Sequence, residues 1–424
     1  MLSCIWKPSE EVRGAKQRAL VYFVCGNPGL IGFYVDFLDA LRSLLDSSAA
    51  GATAYDLYGA NLAGFCDDEH EPFGPDNPPL DVHAQVDATY RDVASRRVSS
   101  PGGGPDGGPA DDKPYDLVIL MGHSIGAYIC VEIFHRHLRD ASRAPHLRLR
   151  HGFLLFPTIA SLAASQAGTR LNRLRGLPTV DAHFAAYAGA LLGLLPQRAL
   201  QWLVEKVLRF SPRAAGVTAE WLKSRDGVLQ AFHMAKSELD DILEDTWEDA
   251  LWEASGADDG TAGGSTTGPR APRFFMFYGR QDHWVADHVR DEFIARRRRR
   301  ARAGKKGMTS ITVDEGNIAH AFCTREDTSW MVARKVNAWV AEIDGADGRC
   351  EELAAAGRGQ IIIHGFTGAE PRLARRCKID EQMKMRAIQA QDDEQIKMRT
   401  RRAEDDEQGC ATDVTAQVLI GPIL

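Results

Sequence analysis

Short apolar runs alternate along the chain with stretches in which apolar residues recur every three or four positions. The runs have the length and the β-branched and aromatic content of buried strands, whereas the periodic stretches predict helices that pack by one face. Strands are predicted at residues 18–25, 53–59, 117–121, 147–157, 273–278 and 310–313, and helices at 33–45, 80–97, after 124 and at 326–343. This alternation predicts an α/β fold with a doubly wound, mostly parallel sheet and a ligand site at the carboxyl ends of its strands.

The alternation stops in the middle of the chain. Residues 158–254 show no clear strand pattern, and their helical spacing is interrupted at Pro178, Pro196 and Pro212. A helical insertion between two strands of such a sheet predicts a cap over the ligand site. We therefore expect the core to consist of two parts, residues 1–157 and 272–344, with the cap at 158–254 between them.

The most apolar part of the cap, residues 184–210, begins at Phe184 and ends at Phe210. Because Pro196 divides it, its continuous apolar run is too short to span a bilayer. We predict a helical hairpin that lies peripherally in a lipid-droplet or membrane surface. Two alternatives remain for the same stretch, namely packing onto the core and lining of an acyl-binding pocket.

Three further segments differ in composition from the core. Residues 99–113 and 255–271 are rich in glycine with serine, threonine or proline, which predicts a flexible insertion and a flexible linker. Residues 345–424 are highly charged and contain no recognisable chemical motif. We expect this tail to be disordered or loosely helical.

The most informative motif follows the predicted strand at 117–121. Gly122, Ser124 and Gly126 form a G-x-S-x-G sequence between a strand and a helix. In such a turn the serine takes a strained backbone conformation, and the two glycines let strand and helix approach closely. Ser124 is therefore the candidate nucleophile of a serine hydrolase with an α/β-hydrolase fold. The adjacent His123 is expected to pack or to orient the turn.

A second turn precedes the nucleophile strand in the chain. Residues 26–29 read G-N-P-G after the first predicted strand, where a serine hydrolase keeps the second donor of its oxyanion hole. Because Pro28 has no N–H, the predicted donors are the main-chain amides of Asn27 and Ile125. An ordinary strand-to-helix turn is the alternative. A phosphate-binding loop is disfavoured, since neither G-x-G-x-x-G nor a terminal G-K-[S/T] is present.

The last two predicted strands are followed by the remaining candidate residues. Asp282 lies just past the strand at 273–278, and Asp287 is the fallback acid. An acid at this place holds a catalytic imidazole in the right tautomer, although a structural turn carboxylate is the alternative. Among thirteen histidines, position singles out His320, because it lies in the loop after the last strand and completes the order nucleophile, acid, histidine.

Composition limits the function classes. The 424 residues carry a formal net charge of -7, which disfavours nucleic-acid binding. The arginine run at 296–300 predicts a solvated helix end, with contact to anionic lipid headgroups as the alternative. Eight singly scattered cysteines fit reduced thiols and no zinc site. No metal or organic cofactor is expected, and we recognise neither a secretory signal nor a membrane-spanning segment.

Five motifs in one order resemble the lipid droplet-associated serine hydrolases. They are G-N-P-G at 26–29 with Phe33 and Tyr34, G-H-S-I-G-A-Y at 122–128, L-F-P-T-I at 155–159, Y-G-x-x-D-x-W at 278–284 and N-I-x-H-A-F at 317–322. The resemblance covers roughly residues 19–343, without the two glycine-rich insertions. It implies that Ser124, Asp282 and His320 form a catalytic triad. It also implies esters of neutral lipids or sterols as substrates, at the surface of lipid droplets or the endoplasmic reticulum. The scattered cysteines separately favour a cytoplasmic location over a secreted one.

The reaction that these residues predict is transfer of an acyl group to water. His320 would take the proton of Ser124 as the hydroxyl attacks an ester carbonyl, and Asp282 would stabilise the imidazolium. Two other functions fit the same sequence. One is a low-turnover organiser of lipid droplets that keeps a hydrolase fold, and the other is a soluble esterase or thioesterase.

Overall fold

The computed structural model describes residues 1–10, 15–47, 53–98, 113–177, 194–245, 247, 249–252, 272–302, 309–316 and 318–356. The predicted insertion at 99–112, residues 184–193 of the predicted hairpin, the linker at 255–271 and the tail beyond 356 therefore lie outside the described residues. The chain divides into two units after Ala346. All elements below belong to the first unit, except for the C-terminal part of the last helix.

A sheet of seven strands forms the centre of the described fold. The strands are β1 (Cys4–Lys7), β2 (Gln17–Val24), β3 (Thr53–Ala60), β4 (Leu117–His123), β5 (Leu149–Leu155), β6 (Arg273–Tyr278) and β7 (Ser310–Val313). Their spatial order is β1-β3-β2-β4-β5-β6-β7, and every neighbouring pair is parallel except β1 with β3. This arrangement confirms the predicted α/β-hydrolase fold. The antiparallel edge strand β1 was not predicted, because it is only four residues long and only one of them is buried.

Helices cover both faces of this sheet. They are α1 (Val35–Ser47), α2 (Val82–Ser95), α3 (Ile125–Arg139), α4 (Gln166–Arg175), α5 (Gln197–Val207), α6 (Pro212–Leu222), α7 (Gly227–Asp241), α8 (Asp249–Trp252), α9 (Asp287–Arg302) and α10 (Glu326–Ala356). Helix α10 runs 13 residues beyond the predicted end at Ile343. The apolar periodicity ends near Ile343, which is why the sequence predicted an earlier end.

Helices α4 to α8 lie between β5 and β6 in the chain and correspond to the segment predicted as a cap. Helix α7 is tied to the core through Gln230, which exchanges two hydrogen bonds of 2.7 and 2.8 Å with the main chain of Leu80. Trp221 of α6 and Trp252 of α8 are fully buried. Among the described helices, none combines the length and the apolar character that a membrane crossing requires.

The central strand β4 positions the site. All seven of its residues are buried, because α3 covers one face of the sheet and the neighbouring strands β2 and β5 flank it. Burial of each of its Val, Ile and Leu side chains contributes about 1.5–3 kcal/mol relative to exposure. The carboxyl end of β4 therefore has a fixed place beside the ends of β2 and β5.

Candidate active site

The turn from β4 into α3 holds Ser124 in a backbone conformation that non-glycine residues rarely adopt. Its φ is 56° and its ψ is -124°. The turn is so tight that a Cβ atom on Gly122 would lie 2.2 Å from the carbonyl oxygen of Gly126. A Cβ atom on Gly126 would lie 2.4 Å from the carbonyl oxygen of Val24. Both glycines are thus required by close backbone approach, which is the physical reason for the G-x-S-x-G spacing.

The side chains of Ser124, His320 and Asp282 are linked by two hydrogen bonds, both of which involve the His320 ring. The Nε2 atom of His320 is 2.8 Å from Oγ of Ser124, and its Nδ1 atom is 2.7 Å from Oδ2 of Asp282. Since a carboxylate only accepts hydrogen bonds, Nδ1–H donates to Asp282, and Nε2 is left to accept the hydroxyl proton of Ser124. The structure thus brings together three side chains that the sequence separates by up to 196 positions.

Asp282 is almost fully buried and remains ionised. Burial alone would raise its pKa, but the neighbouring His320 ring, the hydrogen bond from that ring and the main-chain N–H of Trp284 together lower the pKa below its usual value. The Trp284 amide donates to Oδ1 of Asp282 over 2.9 Å. An ionised carboxylate in this position fixes the tautomer of His320.

Asp287, the fallback acid, is not part of this arrangement. Its side chain is 70% exposed and pairs with Arg290 within the first turn of α9, at 2.9 Å. Of the two acids that the sequence analysis considered, only Asp282 forms a hydrogen bond with the imidazole of His320.

His123 connects the histidine loop with the turn after β2. Its Nε2–H donates to the carbonyl oxygen of His320 over 2.9 Å, which leaves Nδ1 to accept from the Tyr34 hydroxyl at 2.8 Å. The Tyr34 oxygen in turn accepts the N–H of Gly26 at 3.0 Å. Burial, reinforced by the nearby His320, lowers the pKa of His123 to about 3, so the ring is neutral. The sequence suggested an orienting role for His123 but gave no sign of its partners.

The turn after β2 lies beside the turn after β4, because Val24 and Gly122 are partners in adjacent parallel strands. This placement brings Asn27 and Ile125, the predicted oxyanion-hole residues, to the same end of the sheet. Within the described part of the chain, neither of their main-chain amides donates a hydrogen bond. Both residues therefore stay candidates for the oxyanion hole.

A pocket opens at Ser124 and His320. Its lining is mostly apolar and comes from core and cap together: Asn27, Pro28, Phe33, Tyr34, His123, Leu162, Leu171, Ala231, Phe232, Ala235, Glu238, Trp284, Ala321, Cys323 and Thr324. Among these described lining residues there is no Lys or Arg. Glu238 is the acidic residue of this lining, and no sequence pattern predicted a role for it.

A cluster of possible metal ligands lies elsewhere, where the loop after β3 meets the start of α7. Asp67, His70 and Asp226 offer ligand atoms within 4.8 Å of one another, and no other such group is found in the described ranges. The Nε atom of Arg225 already donates to Asp226 over 2.8 Å, and main-chain amides bind both carboxylates of the cluster. Both carboxylates of the cluster are therefore already stabilised by hydrogen bonds from the protein itself.

The fold and the turn that carries Ser124 define an α/β hydrolase. Comparison of the sequence with known families narrows this class. The chain belongs to the lipid-droplet associated hydrolase family, whose model matches residues 17–323. This finding confirms the resemblance drawn from the five motifs.

Relatives of known name agree with this assignment. The lipid droplet-associated hydrolase of Gallus gallus is 24% identical over 339 residues, which are 77% of this chain and 85% of that protein. The hydrolase of the same name from Rattus norvegicus is 30% identical over 161 residues, but the match spans only 42% of the rat protein and 36% of this chain.

Among solved structures, a carboxylesterase of Nitrososphaera gargenis has a TM-score of 0.42 and 13% identity, with 81% of this chain and 96% of that chain covered. A lipase-esterase related protein of Clostridium acetobutylicum has a TM-score of 0.41 and 10% identity, with 80% and 99% covered. Likeness at this level concerns the fold and carries no information about substrate.

Proposed function

We propose that the chain is a serine hydrolase that cleaves carboxylic esters of neutral lipids, either sterol esters or acylglycerols, at a lipid-droplet surface. The observation that carries this proposal is the pair of hydrogen bonds at His320, 2.8 Å to Ser124 and 2.7 Å to Asp282. A hydroxyl, an imidazole and a buried carboxylate in this order form the arrangement that activates a serine for acyl transfer.

In the proposed mechanism His320 acts first as a base and then as an acid. It takes the Ser124 proton as the hydroxyl oxygen attacks the ester carbonyl, and it returns the proton to the departing alcohol. Asp282 stabilises the imidazolium between these two steps. Water, deprotonated by the same ring, then attacks the acyl carbonyl. The ring returns the proton to the departing Ser124 oxygen, and a fatty acid is released.

The main-chain amides of Asn27 and Ile125 would stabilise the tetrahedral intermediate. Both amides lie at the carboxyl ends of adjacent strands and have no partner among the described residues, so they can donate to an oxyanion formed beside Ser124. Loss of one such donor typically lowers kcat on the order of 10²-fold.

The pocket lining favours an uncharged substrate. Since its described residues include no Lys or Arg, it offers no cation to pair with a phosphate or another anionic group. The mostly apolar lining suits the hydrocarbon part of a lipid ester. The relatives are named for lipid droplets, and neutral lipid esters are the esters stored there.

Exposed apolar side chains on the cap support contact with a lipid surface. Leu177, Leu194, Trp202 and Leu243 are between 53% and 81% exposed. Trp202 lies on α5, whose other face buries Leu200 and Val204. An amphipathic helix with an outward Trp suits the boundary between lipid and water.

The decisive experiment is labelling by a fluorophosphonate probe together with turnover of a panel of neutral lipid esters. We expect Ser124→Ala to abolish both labelling and turnover while thermal unfolding stays unchanged. Ser142→Ala, which changes an exposed serine outside the pocket, is the matched control and should behave as the wild type. Labelling that persists in Ser124→Ala would exclude Ser124 as the nucleophile. Labelling without turnover of any ester would instead favour the droplet organiser.

A further inference from the structure

Helix α7 of the cap presents a buried carboxyl group to the hydrolytic pocket. Ala231 and Glu238 are seven residues apart, which is two helical turns, so they lie on the same face of α7. This face is otherwise apolar, and Glu238 is only 4% exposed. Both residues line the pocket that contains Ser124.

The side-chain amide of Asn27 joins the two residues. Its Nδ2 atom donates to the carbonyl oxygen of Ala231 and to Oε1 of Glu238, each over 3.0 Å. Since a main-chain carbonyl can only accept, the contact with Ala231 fixes which end of the amide faces the helix. The Oδ1 atom of Asn27 is buried and has no hydrogen-bond partner among the described residues. The orientation of this side chain therefore depends on the two bonds to α7.

Glu238 makes this contact as a neutral acid. Burial raises its pKa to about 8, and the hydrogen bond from Asn27 offsets only part of that effect. Its proton keeps negative charge out of a pocket in which an oxyanion would form. A neutral carboxyl group still accepts a hydrogen bond from Nδ2 through its carbonyl oxygen.

We propose that Glu238 is a positioning residue of the hydrolytic site. By holding the side chain of Asn27, it fixes the turn whose main-chain amide is the candidate oxyanion donor, and it thereby couples the cap to catalysis. This inference rests on the proposed function, because it assigns to Glu238 a role in the reaction of Ser124. As long as Glu238 is neutral, this role differs from a packing role because Glu238 acts through its hydrogen bond with Asn27.

The test compares Glu238→Gln with Glu238→Leu. Gln keeps an acceptor oxygen and no charge, so kcat should stay within about threefold of the wild type. Leu fills similar space but removes the acceptor, and kcat should fall roughly tenfold with KM little changed, since a misplaced oxyanion donor loses part of its contribution. Gln230→Leu is the matched control, because Gln230 is also buried on α7 but bonds to Leu80 and does not line the pocket. It should leave kcat within about threefold of the wild type in the folded fraction.

A double-mutant cycle separates positioning from packing. In the background of Asn27→Ala, the additional change Glu238→Leu should have no further effect on kcat, because the group that Glu238 holds is already gone. Additive losses, or a kcat of Glu238→Leu equal to that of the wild type, would overturn the inference while Ser124 labelling and wild-type turnover leave the proposed function intact. Wild-type protein without any esterase turnover would overturn both.

Discussion

The sheet core and the helical cap meet at the same pocket but contribute to it differently. The core supplies polar groups at the ends of strands, with Ser124 held in a strained turn and His320 bonded on both ring nitrogens. The cap supplies mostly apolar surface and one neutral carboxyl group, that of Glu238. The difference indicates that bond cleavage depends on the core, whereas the cap adjusts where and under which conditions cleavage occurs. Changes in the core should therefore be far more damaging than changes in the cap.

The largest effect is expected at Asp282. Replacement by Asn leaves the geometry nearly intact but stabilises the wrong tautomer of His320, and kcat for ester hydrolysis should fall on the order of 10⁴-fold. Asp287→Asn is the control, since this exposed carboxylate pairs with Arg290 in α9, and its replacement should leave kcat unchanged. A loss below tenfold in Asp282→Asn would mean that another group orients the imidazole.

The next largest effect is expected at Gly126, where the core has no room for a side chain. The Cβ atom of Gly126→Ala would meet the carbonyl oxygen of Val24 at 2.4 Å, so backbone must move. We expect a loss of about 2–3 kcal/mol in the free energy of unfolding, measured with urea. Gly74→Ala provides the comparison, because a Cβ atom there meets nothing within 4 Å. Equal stability of the two variants would show that the turn is looser than its geometry indicates.

The core was largely predictable because its constraints are local. The strand at β4, the glycines around Ser124 and the acid just after β6 each follow from a few consecutive residues. Strand β7 even matches its predicted bounds, Ser310–Val313. The proximity of Ser124, Asp282 and His320 then follows from topology, since parallel strands bring their carboxyl ends to one edge.

The contacts between distant parts of the chain, including the contribution of the cap to the pocket, were not predictable because their constraints are not local. Glu238 has the sequence pattern of an ordinary polar helix position, and its hydrogen-bond partner Asn27 lies 211 residues away. The link from Tyr34 through His123 to the His320 loop likewise joins residues up to 197 positions apart. Only tertiary packing creates these contacts, and no periodicity or motif encodes them.

Within the cap, the larger effect is expected at its outer surface. Trp202 is 60% exposed on α5, and Trp202→Ala should weaken binding to phospholipid-coated triglyceride droplets roughly fivefold to tenfold, measured by flotation. Trp330→Ala is the matched control, because Trp330 is 41% exposed on α10 of the core. If both variants bind as well as the wild type, the exposed face of α5 is not the lipid contact.

The smallest expected effect concerns the pH dependence of kcat. Glu238 is neutral below its pKa of about 8 and ionises above it, where a carboxylate in the pocket would repel the developing oxyanion. Wild-type kcat should therefore decline severalfold between pH 7.5 and 9, and Glu238→Gln should lack this decline. Of the other titratable groups in the lining, burial raises the pKa of Cys323 to about 12 and holds that of Tyr34 well above its usual value.

The titration of Glu238 also predicts in which direction the stability of the folded protein changes with pH. A glutamate in the unfolded chain ionises near its ordinary pKa of 4.5, whereas in the folded protein it keeps its proton up to about pH 8. Between these values the folded state binds more protons, so its stability must fall as the pH rises. The urea midpoint of the wild type should decrease more steeply from pH 5 to 8 than that of Glu238→Gln. Parallel curves would mean that the carboxyl group is already ionised in the pocket, and the decline of kcat would then need a different cause.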